Sequence, residues 1–189
     1  MVVRNNHWMA ASFTYYVATS LDGRIAGPDH DLAFLESLDG EHGESDDYAR
    51  FEATIDGLVM GARTWEFLVG HGSWPYGDLP LWVVTHATEV PRLDGARMSL
   101  HDGPISGLVE RLRDADAGRI WIVGGGELAA QFVAADALDE VILTLAPRLV
   151  GIGPALVDAA AVLPVLDLEL VEVRRYGRDG VRAVYRRRS

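Results

Sequence analysis

Apolar residues recur along this chain with two periods, one typical of strands and one typical of helices. Short apolar runs predict strands, whereas apolar residues spaced three and four apart predict amphipathic helices. The predicted strands are residues 13–19, 57–61, 81–85, 96–100, 119–123 and 139–150. The predicted helices are residues 32–38, 46–55, 62–70, 105–115 and 127–135. Because strands and helices alternate, the sheet that they build should be mostly parallel.

The end of the chain has a different pattern. Residues 165–176 and 181–188 are strand-like segments on either side of the turn Gly177-Arg178-Asp179-Gly180, which predicts an antiparallel hairpin. The expected fold class is therefore α/β, with a mostly parallel central sheet and an antiparallel hairpin at its C-terminal edge. We expect a single domain over residues 13–189, preceded by a loose lead-in over residues 1–12.

Residues 120–132 read IWIVGGGELAAQF: a strand, three consecutive glycines and the start of a helix. Because glycine has no Cβ, the N–H groups of Gly124, Gly125 and Gly126 can approach a ligand closely. The helix directs its positive end to the same place, which favours a phosphate or pyrophosphate. A tight turn without a ligand stays open as an alternative. So does a Rossmann-type NAD(P) dehydrogenase, although the glycines come late in the chain and no acidic residue follows about 20 residues later.

The composition narrows the chemistry that the protein can perform. Its 189 residues include no cysteine, and all 17 basic residues are arginine. This excludes disulfides, cysteine nucleophiles, Schiff bases and a P-loop lysine. The six histidines show no metal-ligand spacing, so we expect no metal. The formal charge of −11 argues against nucleic-acid binding. No segment has the length and apolarity of a membrane span or a secretory signal, so cytoplasm is the expected location.

Charge is distributed unevenly along the chain. Residues 22–56 hold eleven carboxylates and two arginines, whereas residues 174–188 hold seven arginines. Both stretches are interpreted as solvated surface, because runs of charge in soluble domains most often face water.

Further motifs stand beside the glycines in a fixed order along the chain. They are SLDGRIA (20–26), DLAF (31–34), MGARTWE (60–66), WVVTHAT (82–88) and DEVILTLAP (139–147). With these motifs the chain resembles the dihydrofolate reductase superfamily, which includes the reductase domain of bacterial riboflavin biosynthesis. The resemblance covers roughly residues 13–185. It implies a three-layer α/β/α fold and an NADPH-dependent reductase that transfers a hydride to a pterin- or pyrimidine-type substrate.

The resemblance implies a binding site for the adenine half of NADPH. In MGARTWE, Gly61 would allow close approach of the backbone and Thr64 would contact the pyrophosphate. Arg63 stands one residue later than the arginine with which many dihydrofolate reductases bind the 2′-phosphate. A guanidinium can still reach a phosphate from there, and the choice between NADPH and NADH stays open. Thr85 and His86 resemble residues that lie along the adenosine.

The resemblance also implies contacts to the other half of the cofactor. Ala18 and Ile25 would hold the nicotinamide carboxamide, and the SLDGRIAG loop would close over the ring. The contacts implied by the glycine segment are Val123 beside the nicotinamide, Gly124, Gly125 and Gly126 around the phosphates, and Glu127 and Leu128 at the start of the helix. One position departs from the family, because Ala129 stands where dihydrofolate reductases often carry a tyrosine.

The implied substrate site rests on Asp31. In dihydrofolate reductases the matching carboxylate pairs with the pterin ring and supports its protonation, and Thr144 matches the threonine that hydrogen-bonds this carboxylate. The resemblance therefore implies that Asp31 and Thr144 are the catalytic residues. From its local sequence alone, Asp31 is an ordinary helix cap. Asp22 and Arg24 resemble the riboflavin-pathway reductases; Arg24 would meet a substrate phosphate, whereas Asp22 either binds substrate or fixes the loop turn.

The expected partner is a small-molecule substrate. Riboflavin-pathway relatives suggest a homodimer, with the C-terminal hairpin as one candidate interface. A non-catalytic nucleotide-binding module on the same fold is the alternative function, because Ala129 and the displaced Arg63 depart from the catalytic family pattern.

Overall fold

The predicted strands build one sheet. The computed structural model describes residues 11–38, 44–160 and 162–188, and within them eight strands form a single sheet. The strands are β1 (Ser12–Ser20), β2 (Gly57–Gly61), β3 (Pro80–Val84), β4 (Arg97–His101), β5 (Arg119–Gly124), β6 (Glu140–Ala146), β7 (Leu168–Tyr176) and β8 (Gly180–Arg187). The helices are α1 (Glu44–Glu52), α2 (Ala62–His71), α3 (Ile105–Asp114) and α4 (Gly126–Ala134), with short 3-10 helices at Pro28–His30 and Ala33–Leu38.

The sheet has the strand order β4-β3-β2-β5-β1-β6-β8-β7. Strands β1 to β6 pair in parallel, and β8 pairs antiparallel with both β6 and β7. The predicted α/β class, with a mostly parallel sheet and an antiparallel hairpin at its C-terminal edge, is therefore confirmed. The glycine-bearing strand β5 lies near the centre of the sheet, between β1 and β2.

Helices cover both faces of the sheet, which confirms the three-layer arrangement. On one face, α3 and α4 pack on Phe13, Ile120 and Ile122, and the Phe13 and Phe132 ring centroids are 5.1 Å apart. On the other face, α1 and α2 pack on Met60 and Trp121. Burial of each large apolar side chain contributes about 1.5–3 kcal/mol, so the two clusters hold the sheet and helices together.

Several boundaries differ from the prediction for local reasons. Strand β6 ends at Ala146 rather than at residue 150, because Pro147 cannot donate to a sheet ladder. Residues 33–38 form a 3-10 helix instead of an α-helix. The sheet begins at Ser12, and both Ala11 and Ser12 are buried, so the predicted lead-in is shorter than residues 1–12. Residues 1–10 of that lead-in lie outside the described residues. Across the described ranges, the helices are all too short or too polar to cross a membrane.

Candidate functional site

The carboxyl ends of the central parallel strands open into one cavity of about 1030 Å³. In open α/β sheets this edge is the usual place for a ligand, and the volume suits an extended one. All thirteen residues predicted to bind the cofactor line the cavity. They are Ala18, Ile25, Gly61, Arg63, Thr64, Thr85, His86, Val123, Gly124, Gly125, Gly126, Glu127 and Leu128.

Two glycine turns meet in this cavity. Gly61 ends β2 and precedes α2, while Gly124 ends β5, and a Cβ on Gly61 would lie 3.7 Å from the Gly124 carbonyl oxygen. A Cβ on Gly124 would lie 3.9 Å from the Thr64 hydroxyl. Both helix N-caps are glycines, Gly61 and Gly125, and no side chain caps either α2 or α4. The N–H groups that begin the two helices are therefore free of side-chain caps, and together they suit the two phosphates of a dinucleotide.

Different surroundings account for glycine at each of the three consecutive positions 124, 125 and 126. Gly124 has a φ of +135°, a conformation that favours glycine, and its peptide bond to Gly125 is cis. A Cβ on Gly125 would lie 3.9 Å from Ile25 Cδ1, inside the cavity lining. A Cβ on Gly126 would lie 2.1 Å from the Ala155 carbonyl oxygen. A crossing backbone segment therefore requires glycine at position 126, a reason that the sequence analysis did not identify, while the predicted phosphate contact of Gly126 stays a prediction.

That crossing segment, residues 148–158, forms a wall of the site that the sequence analysis did not identify. The Asp158 N–H donates to the Gly126 carbonyl, and the Leu156 N–H donates to the Gly23 carbonyl. The Tyr15 hydroxyl donates to the Leu156 carbonyl at 3.0 Å. The segment thereby joins the start of α4 to the loop of residues 20–27, and it fixes Ile25, whose N–H donates to the Pro154 carbonyl.

Asp22 and Arg24 hold this loop rather than line the cavity. The Asp22 carboxylate accepts the Ser20 hydroxyl and the backbone N–H groups of Val150 and Gly151. These hydrogen bonds, with that from Ser20 the strongest, hold the pKa of Asp22 well below its usual range. Arg24 Nη1 donates to the Gly153 carbonyl at 3.0 Å. Their predicted role as substrate ligands is therefore not supported, because both side chains are used to tie the loop to the crossing segment.

Asp31 and Thr144 also lie outside the cavity lining. Asp31 is exposed, and its carboxylate accepts the Ala33 N–H at 2.9 Å, which is the capping role. Thr144 is buried in β6 directly beside Ala18 of β1. Both residues belong to the described part of the chain, and no hydrogen bond joins them there. The predicted carboxylate–threonine pair is not formed in this arrangement, in which Asp31 is exposed and Thr144 is buried within the sheet.

Asp31→Asn is expected to leave both the melting temperature and the turnover within error of the wild type, because an asparagine oxygen caps as well as an aspartate oxygen. Asp31→Ala should lower the free energy of unfolding by about 0.5–1 kcal/mol through loss of the cap. Thermal melts and the loss of reduced-nicotinamide absorbance measure the two effects. A large fall in turnover for the asparagine variant, with NADPH affinity intact, would instead identify Asp31 as a substrate ligand.

Both basic side chains nearest the predicted adenine end contact carboxylates. Arg63 lies 3.4 Å from Glu127, joining the first turns of α2 and α4, and both side chains are more than half exposed. His86 Nδ1 lies 2.6 Å from an Asp102 oxygen, also on the exposed surface. An exposed ion pair contributes at most about 1 kcal/mol, so a phosphate can displace the carboxylate from Arg63.

An aromatic group in the cavity was missed by the sequence analysis. Tyr16 of β1, Tyr48 of α1, Tyr76 and Trp121 of β5 all line the cavity. Their ring centroids lie 5.5 Å (Tyr76–Trp121), 6.0 Å (Tyr16–Trp121) and 6.1 Å (Tyr48–Trp121) apart. Two of them could have been found from strand parity, since Tyr16 and Trp121 stand two residues before Ala18 and Val123 and therefore share their face. Tyr48 and Tyr76 come from a helix and a loop, whose positions no local pattern gives.

Two further observations bear on the predicted chemistry. Ala129 is fully buried in the core formed with α3, so the position where the family often has a tyrosine is not part of the lining here. Among the described residues, no group of three or more His, Asp or Glu side chains could hold a metal ion.

Comparison with known proteins agrees with this geometry. The family model of the RibD C-terminal domain matches residues 11–181. The uncharacterized protein YwjB of Bacillus subtilis is 33% identical over 139 residues, which cover 73% of this chain and 78% of YwjB. A proposed riboflavin biosynthesis protein of Shewanella sp. PV-4 superimposes with a TM-score of 0.84 at 26% identity, covering 94% of this chain and 99% of that one.

More distant structures share the fold. The deaminase/5-amino-6-(5-phosphoribosylamino)uracil reductase of Thermotoga maritima has a TM-score of 0.68 at 15% identity over 95% of this chain, which spans 57% of that longer protein. The dihydrofolate reductase of Enterococcus faecalis, solved with NADP(H), has a TM-score of 0.60 at 18% identity over 94% of this chain and 97% of that one. From the family match and these folds, the chain belongs to the RibD C-terminal domain family of dihydrofolate reductase-like proteins.

Proposed function

We propose that the protein is an NADPH-dependent reductase that transfers a hydride to a pyrimidine- or pterin-type substrate. The observation that carries the proposal is the single cavity in which both glycine turns, Ala18 and Val123 lie together. Two helix N-termini without side-chain caps, whose glycine turns lie next to each other, suit a pyrophosphate, and a strand face beside them suits a flat nicotinamide ring. Membership of a family with reductase relatives supports the same chemistry.

When bound, a reduced nicotinamide would supply the hydride for the carbon of a C=N or C=O bond, and a proton from solvent would complete the reduction at the nitrogen or oxygen. The N–H groups at the starts of α2 and α4, with the Thr64 hydroxyl, would hold the pyrophosphate. Ala18, Ile25 and Val123 would orient the nicotinamide ring toward the substrate. The loop of residues 20–27, tied to residues 148–158, covers this position and would exclude water from the hydride path.

Arg63 is proposed to select NADPH over NADH by binding the 2′-phosphate. Arg63→Gln should weaken NADPH binding about tenfold and leave NADH binding within twofold, because only NADPH carries the group that a guanidinium fork recognises. Glu127→Gln is the matched variant: it removes the carboxylate that competes for Arg63 and should tighten NADPH binding severalfold. Calorimetric titration of each variant with NADPH and with NADH measures these affinities. An equal loss of both cofactors in the Arg63 variant would contradict the assignment.

The proposed activity is tested by following reduced-nicotinamide absorbance with NADPH or NADH. The substrates are dihydrofolate and 5-amino-6-(5-phosphoribosylamino)uracil with its dephosphorylated form. NADPH-dependent turnover of at least one substrate is expected. Cofactor binding without turnover of any of them would instead support the non-catalytic nucleotide-binding alternative. The Rossmann alternative is wrong, because the sheet order and the family match place the glycines in a dihydrofolate reductase-like fold.

We also propose a homodimer that uses the C-terminal hairpin. Strand β7 is an edge strand, and Leu170, Val171 and Val173 on it and Val181 on β8 are each more than a third exposed. Exposed apolar groups on a sheet edge are typical of interfaces. Val173→Arg should convert the dimer to a monomer in sedimentation analysis, while Gly107→Ala, in helix α3, should not. A wild-type protein that is monomeric at tens of micromolar would overturn this proposal.

A further inference from the structure

The aromatic end of the cavity, defined as Tyr16, Tyr48, Tyr76 and Trp121, lies where the hydride acceptor must bind. Tyr16 and Trp121 precede Ala18 and Val123 by two residues on the same strand face. Two residues of strand advance by about 6.6 Å. The aromatic end is therefore one pleat away from the proposed nicotinamide contacts, and reacting atoms must approach to about 3.5 Å. The inference rests on the proposed function, which supplies the position of the cofactor.

The shape of the aromatic end suits a flat ring. Trp121 is nearly perpendicular to Tyr76, with an interplanar angle of 88°, and it lies edge-on to Tyr48. Tyr16 and Tyr48 are stacked, with centroids 6.3 Å apart. Aromatic walls of this kind bury planar guests through stacked and edge-to-face contacts.

The charges near the aromatic end do not suit a phosphate. Within the described lining, Arg63 supplies the guanidinium, and it lies on the proposed cofactor side beside Glu127. Arg24 donates to the Gly153 carbonyl, and the Arg182 guanidinium carbon lies 5.7 Å from the centroid of the Tyr16 ring, but neither arginine lines the cavity. The other basic side chains in the described lining are His30, His86 and His101. A phosphate bound at the aromatic end would therefore lack a lining arginine of the kind that usually recognises it.

The two phenols supply polar contacts without charge. Burial raises the pKa of both Tyr48 and Tyr76, so both remain protonated at neutral pH. Because Tyr76 lines the cavity, its hydroxyl can donate a hydrogen bond to a carbonyl or ring nitrogen of a ligand there.

We propose that the acceptor is a flat, uncharged heteroaromatic compound without a phosphate group, packed against the aromatic end and hydrogen-bonded by the Tyr76 hydroxyl. The protein would thereby differ in substrate from the Thermotoga maritima relative, whose name specifies a phosphoribosyl compound. The neutral ring makes the contacts, and the phosphorylated form is disfavoured because, among the described lining residues, the one arginine is Arg63 on the cofactor side.

The test compares 5-amino-6-ribosylaminouracil with its 5′-phosphate on the full chain saturated with NADP⁺, by calorimetric titration. The riboside is expected to bind at least tenfold more tightly. Tyr76→Phe should weaken riboside binding about fivefold or more, whereas Tyr185→Phe, on a strand outside the lining, should not change it. Equal or tighter binding of the phosphate, or no binding of the riboside, would overturn the proposal.

Turnover is measured separately with NADPH, so the two proposals can fail independently. Preferential binding of the riboside, with no NADPH oxidation by the riboside, its phosphate or dihydrofolate, would overturn the reductase function and leave the proposed substrate class standing. NADPH oxidation with the phosphorylated compound alone would support the reductase function and overturn the proposed substrate class.

Discussion

Gly126→Ala is expected to lower the free energy of unfolding by about 3 kcal/mol and to abolish tight NADPH binding. The new methyl group would lie 2.1 Å from the Ala155 carbonyl oxygen, and backbone cannot give way as a flexible side chain can. Either the crossing segment moves off α4 or the turn at Gly125 shifts. Because the same segment holds the loop with Ile25, the nicotinamide end of the cavity would open as well. Thermal or urea unfolding and calorimetric titration measure the two losses.

Gly107→Ala is the matched control for this change. Gly107 lies inside helix α3, and a Cβ there would meet no heavy atom within 4 Å. Alanine should therefore stabilise the protein by about 0.5–1 kcal/mol, because it restricts the unfolded chain and favours the helix. If Gly126→Ala matched the wild type in stability, the close approach of the crossing segment to α4 would be contradicted.

Gly61→Ala is expected to weaken NADPH binding while leaving the stability of the fold nearly unchanged. A Cβ at this position would meet the Gly124 carbonyl oxygen and the Gly125 nitrogen at ordinary contact distances of 3.7 and 4.0 Å. The φ of −76° is open to alanine, so the fold should tolerate the change within about 1 kcal/mol. The methyl group would, however, stand between the two glycine turns, where the pyrophosphate is proposed to bind.

We therefore expect Gly61→Ala to weaken NADPH binding at least tenfold, which is about 1.4 kcal/mol, with a melting temperature close to that of the wild type. Gly70→Ala, at an uncrowded position of the same helix α2, serves as the control. Unchanged NADPH affinity in the Gly61→Ala variant would contradict the proposal that the pyrophosphate binds between the two glycine turns.

The parts of the fold that could be predicted from sequence are those fixed by local periodicity. Strand β2 was predicted residue for residue, because the apolar run GLVMG is bounded by a turn and a helix start. The C-terminal hairpin followed from its Gly-Arg-Asp-Gly turn. The cofactor-side residues were brought together as predicted, because the ends of neighbouring parallel strands meet at one edge of a sheet.

The parts that could not be predicted depend on contacts between distant segments. Residues 148–158 have no helical or strand periodicity, yet they explain why position 126 is glycine and why Asp22 and Arg24 are held away from the cavity. Asp31 fitted two roles equally well in sequence, and only its three-dimensional surroundings show the cap. The aromatic end could not be predicted, because it depends on Tyr48 and Tyr76 lying beside Tyr16 and Trp121, and no local pattern gives that placement.

The central claim is that the cavity binds a reduced nicotinamide dinucleotide across both glycine turns. Calorimetric titration of the full chain with NADPH tests it most directly. We predict binding at one site per chain with a dissociation constant on the order of 10 µM or tighter, weakened at least tenfold by Gly61→Ala and unaffected by Gly107→Ala. No detectable binding of NADPH or NADH at millimolar concentration, with the protein folded, would contradict the account.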